Sequence, residues 1–394
     1  LFFFVGMMSI WILITGCLLA GYLLLMGVYR YYFVRLKPFD AATSPLPPVT
    51  FFSVIIPARN ESAHIGACLL SVVKNSYPGD LFEIIVVDDH SEDDTAQQVM
   101  ELQAIYPRIS LLRLQDYPDW VTTQAYKKKA IELAISKSKG SWIVTTDADG
   151  EVPVNWLLQF DNYIQKNEPV FVAAPVMYYS RGGLLQVFQQ LDFLSLQGIT
   201  AASVSAGFHS MCNGANLAYR KDIFWSVGGF AGHEHLASGD DMLLMHRIKA
   251  SYPNQIGYIF SRDSMVLSEP TASWGAFFQQ RIRWASKAES YREKKIFGVL
   301  LCVWLLNAAL GVGLLLILFQ QVSWMQWVIV VLIKTIGELY FLTPVARFFQ
   351  AESQMAYFPF LQPIHIVYTI LAGWLGKFGS YQWKQRKIKT GGTT

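Results

Sequence analysis

The chain has 394 residues, of which 53% are hydrophobic and only 15% charged. A soluble domain averages about 25% charged residues, and the mean hydropathy of +0.29 therefore puts part of the chain in lipid. A net charge of +3 is too small for a nucleic-acid binder, and the four scattered cysteines (Cys17, Cys68, Cys212, Cys302) form no CxxC or Cys/His metal spacing and read as reduced structural thiols.

The first block, FFFVGMMSIWILITGCLLAGYLLLMGVY, carries no charge before Arg30. It exceeds the about 20 apolar residues that a membrane helix needs. A signal peptide has a shorter apolar core and a basic start, and neither is present. ITGC (14–17) looks like a lipoprotein cleavage site, but the apolar run continues well past Cys17. Residues 1–29 are therefore expected to form a transmembrane helix. Arg30, Arg35 and Lys37 follow it, which by the positive-inside rule puts the N-terminus outside and the next domain in the cytoplasm. Residues 30–50, with SPLPPV at 44–49, read as a linker.

From 51 to 295, apolar runs of strand length alternate with helix-like segments. FFSVIIP (51–57), FEIIVVDD (82–89), ISLLRL and SWIVTTDADG read as strands. ESAHIGACLLSVVKNS, SEDDTAQQVMELQAI and KKKAIELAISKS read as helices, with Gly140 as the C-cap of the last. This alternation predicts an α/β domain with a mainly parallel, Rossmann-like sheet, in which ligands bind beyond the carboxyl ends of the strands. Three apolar stretches follow, at about 297–319, 323–345 and 358–377, so 296–378 is expected to hold two or three membrane helices, with a basic tail at 379–394. Three full crossings would carry the tail WKQRKIK outside, against the positive-inside rule; a re-entrant or interfacial last segment, which contains Pro, would avoid this. Lys334 and Glu338 are four apart on one helix face. They read first as an internal ion pair, and alternatively as polar lining of an acceptor path.

Carboxylates collect where two strands end: Asp88 and Asp89 after the second, Asp147 and Asp149 in TTDADG after a later one. A pair spaced Asp-x-Asp can share a hard cation and the phosphates it neutralises, or be no more than a solvated turn; the apolar strand and Gly150 favour the first. A further acidic pair, Asp240-Asp241, opens a helix in SGDDMLL, where acids also serve as caps. HEH (233–235) has no further ligand at zinc spacing. Near the C-terminal apolar block stands QQRIRW. On a helix Gln280, Arg283 and Trp284 share one face, which reads as a clamp for a phosphorylated, sugar-bearing ligand or as a basic, aromatic membrane-interface anchor, while Arg281 falls on another face and reads as an interface anchor.

In this order, SVIIPARNE, EIIVVDDHSEDDT, VTTDADGEVPVNWL, NGANLAYRKDIFWSVGGF, SGDDMLLMHRI and QQRIRW resemble the family 2 glycosyltransferases over about 51–290. With its membrane flanks, the chain looks most like the branch of cellulose, chitin and hyaluronan synthases and ceramide glucosyltransferases. The resemblance implies a GT-A fold, a nucleotide-sugar donor (UDP rather than GDP), inversion at the anomeric carbon, and a divalent cation, Mg2+ or Mn2+. It implies that Pro57, Ala58 and Glu61 line the nucleoside, that Asp89 meets the uracil ring, that Asp147 sits near nucleotide and metal, and that Asp149 is the better metal ligand. Lys127 and Lys128 resemble a basic pair that can reach the donor phosphates or remain solvated. Asp241 matches the general base. Many members carry Thr-Glu-Asp here, but this chain has Gly-Asp-Asp, as hyaluronan synthases do, which leaves the role of Asp240 open. Gly214 and Asp240 fall on the acceptor side, with Asn216 in a structural place. Gln280, Arg283 and Trp284 fall on the donor. The expected enzyme sits in the bacterial inner (plasma) membrane, catalytic domain cytoplasmic, and acts on a lipid or lipid-linked acceptor. A processive polysaccharide synthase is the alternative, and a non-catalytic scaffold or a glycoside hydrolase more remote ones.

Overall fold

A computed structural model of the chain describes residues 2–120, 126–180, 182–208, 211–232, 239–287, 293–383 and 386–389. The HEH segment lies outside the described residues. In chain order, helix α1 (Phe2–Phe33) precedes β1 (Phe52–Ala58), α2 (Ile65–Val73), β2 (Phe82–Asp88), α3 (Thr95–Ile105), β3 (Ile109–Arg113), α4 (Tyr126–Lys137), β4 (Trp142–Thr145) and β5 (Gly150–Glu151). Next come α5 (Trp156–Asn167), β6 (Phe171–Ala173), β7 (Val176–Tyr178), α6 (Leu184–Ala206), β8 (Leu217–Arg220), α7 (Lys221–Ser226), α8 (Asp240–Ser251), β9 (Ile256–Tyr258) and β10 (Val266–Ser268). The remainder is α9 (Trp274–Ala285), α10 (Lys294–Leu318), α11 (Trp324–Phe349), α12 (Phe358–Phe378) and the hairpin β11 (Ser380–Trp383) and β12 (Arg386–Lys389).

Two units divide these elements. The α/β unit comprises Leu36–Tyr179 and Ser210–Pro270; the helical unit comprises Leu1–Arg35, Ser180–His209 and Thr271–Thr394. The expected span 51–295 is therefore not all of one piece, because α6 and α9 pack among the membrane helices. At Gly198 of α6 the fit is close: an added Cβ would stand 2.7 Å from the Val345 side chain of α11.

The α/β unit is built on a seven-stranded sheet of order β3-β2-β1-β4-β8-β6-β9. β1 pairs in parallel with β2 and with β4, in registers that set Ile55 beside Ile85 and Thr145. β8 runs antiparallel to both its neighbours. The sheet is mainly parallel because its central strands are unbroken apolar runs that can be covered on both faces. Val54, Ile56, Val86 and Val144 are fully buried with Leu69, Trp156 and Phe160 of the flanking helices. One local expectation changes. α4 ends at Lys137, so Gly140 is not its cap. Gly140 lets the chain pass close to β1, where a Cβ would meet the Ser53 amide at 2.6 Å.

Among the described residues four helices are long and apolar enough to cross a membrane, at Ile10–Phe33, Lys294–Leu318, Trp324–Phe349 and Glu352–Phe378, and the chain is a membrane protein. α1 runs parallel to α11: Tyr22 meets Glu338, Tyr29 meets Phe341 and Phe33 meets Phe348. α10 and α11 form an antiparallel pair, with the Trp327 indole donating to the Leu310 carbonyl. α12 runs antiparallel to α10, with Trp304 against Ile370 and Gly373, and its last turn brings Gly376 against Ala285 at the end of α9. Tyr381 of β11 then packs on Ile282 of α9. Lys334 is fully buried and takes the structural reading: its ammonium reaches Glu338 at 2.6 Å and the Gln362 carbonyl oxygen at 2.8 Å.

Candidate active site

The loops after β1 and β2 are sewn together at the carboxyl edge of the sheet. The Asp89 amide donates to the Ala58 carbonyl at 2.8 Å, and Arg59 reaches back to the carbonyls of Asp89 and His90 at 2.8 and 3.0 Å. The Glu61 amide donates to the Thr95 hydroxyl at 2.8 Å. Glu61 lies four residues before α2 begins, outside its first turn. Pro57, Ala58, Glu61 and Asp89 thus belong to one edge. Asp89 is buried, and its Oδ1 faces the His90 ring nitrogen at 3.0 Å, which fixes the carboxylate. Asp88, also buried, accepts from the Ser91 amide, a structural role. Asn60 and His90 hold positive φ angles of 50° and 55°, which make both turns tight.

A second group assembles around β4. Lys127, at the start of α4, places its ammonium 2.8 Å from Asp147 Oδ1 and 3.5 Å from Asp240 Oδ2. Burial alone would push this lysine down, but Asp147 and Asp240, with Asp241 adding to them, hold it well above its ordinary value, so it stays charged. Asp147 and Asp149 bracket a turn closed by the Gly150 amide on the Asp147 carbonyl at 3.0 Å. A Cβ at Gly150 would meet the Thr146 hydroxyl at 2.9 Å, so the turn favours glycine. Burial, with Asp149, Asp147 and Glu61 nearby, pushes the Cys68 thiol up and keeps it protonated.

Asp240 and Asp241 open α8 behind Gly239, whose φ of 87° is left-handed. Asp241 Oδ1 caps its own helix through the Met242 amide at 2.7 Å, and its Oδ2 accepts from the Gly214 amide at 3.2 Å. The Gly214 carbonyl accepts from Thr145 at 2.8 Å, which anchors this loop to β4. Asp147, Asp240, Asp241, Gly214 and Lys127 are therefore one constellation. Asn216 is fully buried: its amide donates to the Pro175 and Ser264 carbonyls and its oxygen accepts from Trp156, so it holds the fold. A small cleft under the two aspartates has largely apolar walls, among them Ile131, Leu217, Phe230 and Leu244. Such walls strengthen electrostatic effects on nearby carboxylates.

Among the described residues no three His, Cys, Asp or Glu side chains stand close enough to hold a metal by themselves. Asp147 and Asp149 supply hard oxygen ligands from one turn, and a Mg2+-like ion is ordinarily held by one or two carboxylates plus substrate phosphates. The donor set fits such an ion.

In the helical unit α9 carries Gln280, Arg283 and Trp284 as one helix, started by the Ser273 cap. Arg281 departs from expectation. It is not an interface anchor: it is 4% exposed and paired with Asp192 of α6, its Nε donating to Oδ2 at 2.7 Å and Nη2 standing 2.6 Å from the same oxygen. Asp192 escaped the sequence reading because α6 carries no motif, and its partner lies 89 positions away.

The sequence profile described as "Glycosyl transferase family 2" matches residues 53–228, and that described as "Glycosyl transferase family group 2" matches 142–372. The chain is 26% identical to Glycosyltransferase AglE of Haloferax volcanii over 61% of this chain and 73% of that one. It is 30% identical to a Beta-monoglucosyldiacylglycerol synthase of Synechocystis over 43% of this chain and 33% of that one. It is 22% identical to the Poly-beta-1,6-N-acetyl-D-glucosamine synthase of Staphylococcus epidermidis over 78% of this chain and 70% of that one. The chain thus spans from a third to about three quarters of these relatives. The mannosyltransferase PcManGT of Pyrobaculum calidifontis, solved with GDP-Man and Mn2+, superposes with a TM-score of 0.58 at 17% identity, covering 94% of this chain and 98% of that one, a likeness of fold, GT-A. With its sheet, its strand-end carboxylates and a family match across more than half its length, the chain belongs to the family 2 glycosyltransferases.

Proposed function

We propose that the chain transfers a sugar, with inversion, from a UDP-sugar to a hydroxyl of a lipid or lipid-linked acceptor. The observation that carries this reading is Asp241. It is only partly buried, at a helix N-terminus, its Oδ2 on the Gly214 loop and its neighbours the Asp147–Lys127–Asp240 group. Asp241 takes the proton from the acceptor hydroxyl as that oxygen bonds to the anomeric carbon. The bond from that carbon to the diphosphate breaks on the opposite face, and the electron pair leaves with the nucleotide. Lys127 keeps a fixed positive charge beside Asp147 and Asp240. Asp147 and Asp149 would hold a divalent cation, which would supply positive charge to the departing diphosphate. Asp89 offers its carboxylate to the imide N–H of uracil beside Pro57, Ala58 and Glu61. From α9, Arg283 is suited to the diphosphate and Gln280 and Trp284 to the sugar, an assignment that rests on the QQRIRW motif.

A processive polysaccharide synthase is the second reading, favoured by the likeness over 78% of the chain to a poly-N-acetylglucosamine synthase. For topology, contacts within the helical unit support α10 and α11 as a crossing pair and α12 as a re-entrant or interfacial helix. The tail at Tyr381 then stays on the side of α9, in keeping with its basic residues.

The test is a screen of UDP- and GDP-sugars for consumption by the purified protein, with the product sized after incubation with radiolabelled donor. One added sugar on a lipid supports the single-transfer reading, and a ladder of sizes supports the polymerase. Consumption of GDP-sugars alone removes the uracil assignment of Asp89. If no nucleotide-sugar is consumed, the reading fails.

A further inference from the structure

Arg281 stands beside Gln280 within QQRIRW, and its side chain is buried inside the helical unit rather than at a membrane interface. Its guanidinium is engaged on several sides inside the helical unit. Nη1 donates to the Gln280 side-chain oxygen at 2.5 Å. The cation lies 4.2 Å from the centre of the Trp284 ring and 4.6 Å from that of Phe277, within cation–π range. Nε and Nη2 both meet Asp192 Oδ2. The remaining carboxylate oxygen, Oδ1, accepts from the Tyr368 hydroxyl of α12. Asp192 and Arg281 are 7% and 4% exposed, so the pair is shielded from water and from salt. Phe193, the residue after Asp192, also lies against Trp284, with ring centres 6.2 Å apart.

The consequence is directional. Gln280 has its carbonyl end occupied, so its amide N–H groups are the end presented to a ligand. Trp284 has one side of its indole engaged by a cation, which fixes the ring plane. A lysine could not do both: the planar fork spans an amide, a carboxylate and a ring at once, whereas an ammonium is a single point. We propose that Arg281 is the positioning residue for Gln280 and Trp284, and that Asp192 of α6 and Tyr368 of α12 lock it in place. This rests on the reading that Gln280 and Trp284 meet the sugar-bearing ligand. Arg281 itself touches no ligand in this scheme.

The test uses the full chain in lipid nanodiscs, with whichever of UDP-glucose, UDP-N-acetylglucosamine and GDP-mannose it consumes, and with UDP alone as a probe of the nucleotide edge. Arg281→Lys and Asp192→Asn are each expected to lower kcat by about 10²-fold, the scale of a misplacement of about 1 Å. UDP affinity should stay at the wild-type value. Tyr368→Phe, which removes one hydroxyl and preserves the packing, is expected to cost about two- to tenfold. The double variant Arg281→Lys/Asp192→Asn should be no worse than the worse single one, because both break the same device. Proportional loss of kcat, UDP affinity and folded fraction would mean a purely structural pair and overturn the proposal. So would wild-type kcat in both Arg281→Lys and Tyr368→Phe while Trp284→Ala is inactive. If Trp284→Ala itself keeps full activity, the reading of the motif fails first and the positioning role with it.

Discussion

In the α/β unit, Asp147 and Asp240 share one Lys127 ammonium, and Asp241 acts on the same charge. In the helical unit, Lys334 meets one carboxylate. Glu338 Oε1 accepts from Lys334 at 2.6 Å and from Tyr22 at 2.7 Å, Oε2 accepts from Gln362 at 2.7 Å, and the Gln362 oxygen accepts from Lys334 in turn. The second cluster is balanced and closed, and it pins α1, α11 and α12 together. The first gathers several carboxylates round one lysine at a strand edge, with Asp241 only partly buried. A buried ionisable group in a membrane helix is by default a functional candidate; here the partners of Lys334 tie three helices together.

The sharpest way to break this contrast is at Asp241. Asp241→Asn keeps the shape and the helix cap but cannot take a proton. Sugar transfer should fall by about 10²- to 10⁴-fold, the usual contribution of a general base, while calorimetric UDP affinity is retained. Transfer near the wild-type rate would return Asp241 to a capping role and make the acidic cluster as structural as the other one.

The converse operation is on Lys334. Lys334→Met leaves Glu338 buried without its cation, which should cost about 3–5 kcal/mol of stability and lower the thermal midpoint in detergent. Activity per folded molecule should persist, and adding Glu338→Leu should recover much of the loss. Normal stability with lost transfer would instead support the acceptor-path reading of this pair.

How far each cluster was legible in sequence follows from the range of its contacts. Asp89 and Asp147 stand at or just beyond the ends of apolar strands, and the strand pattern alone puts them at the ligand edge. Lys334 and Glu338 declare themselves by a spacing of four. Arg281 was misread because helix periodicity says which residues share a face and nothing about what that face meets. Its partners Asp192 and Tyr368 lie on α6 and α12, far off in sequence. The division of the span 51–295 was hidden for the same reason, since α6 enters the helical unit through packing at Gly198 and Phe188. Gly140 fits the composition of a cap, but close approach to Ser53 is what requires it.

A smaller effect is expected at Lys127. Lys127→Met removes one positive charge from beside Asp147, so half-saturating Mn2+ for donor consumption should fall by about tenfold, one unit charge in a partly solvated site. In the wild type the raised folded value of this lysine gives a contribution to stability that is complete below its unfolded value of 10.5 and is lost only as pH rises through the folded one. Lys127 therefore stays charged across the neutral range, and a limb of the pH–rate profile in that range arises from another group. Unchanged Mn2+ dependence in the variant would show that Lys127 and the cation do not compete for the same carboxylate.

The smallest effect concerns a third way of stabilising a carboxylate, by neutral donors alone. Asp93, between β2 and α3, accepts from the Thr95 amide and from the Ser62 amide, both at 3.1 Å, and from the Thr95 hydroxyl. Its slight burial works against the charged form, but these hydrogen bonds outweigh it and bring the group from 3.8 down to about 2. A carboxyl depressed on folding stabilises the fold above its unfolded value and loses that contribution as pH falls through the folded one. Asp93→Asn should therefore lower the thermal midpoint slightly at neutral pH, with the gap to wild type closing between 3.8 and about 2. Asp93 is exposed, so the effect is well below that at Lys334. A gap that stays constant down to the acid end would mean that the loop is held by the shape of the side chain rather than its charge, and hydrogen bonding could not then be set beside ion pairing as a means of holding a charge at this edge.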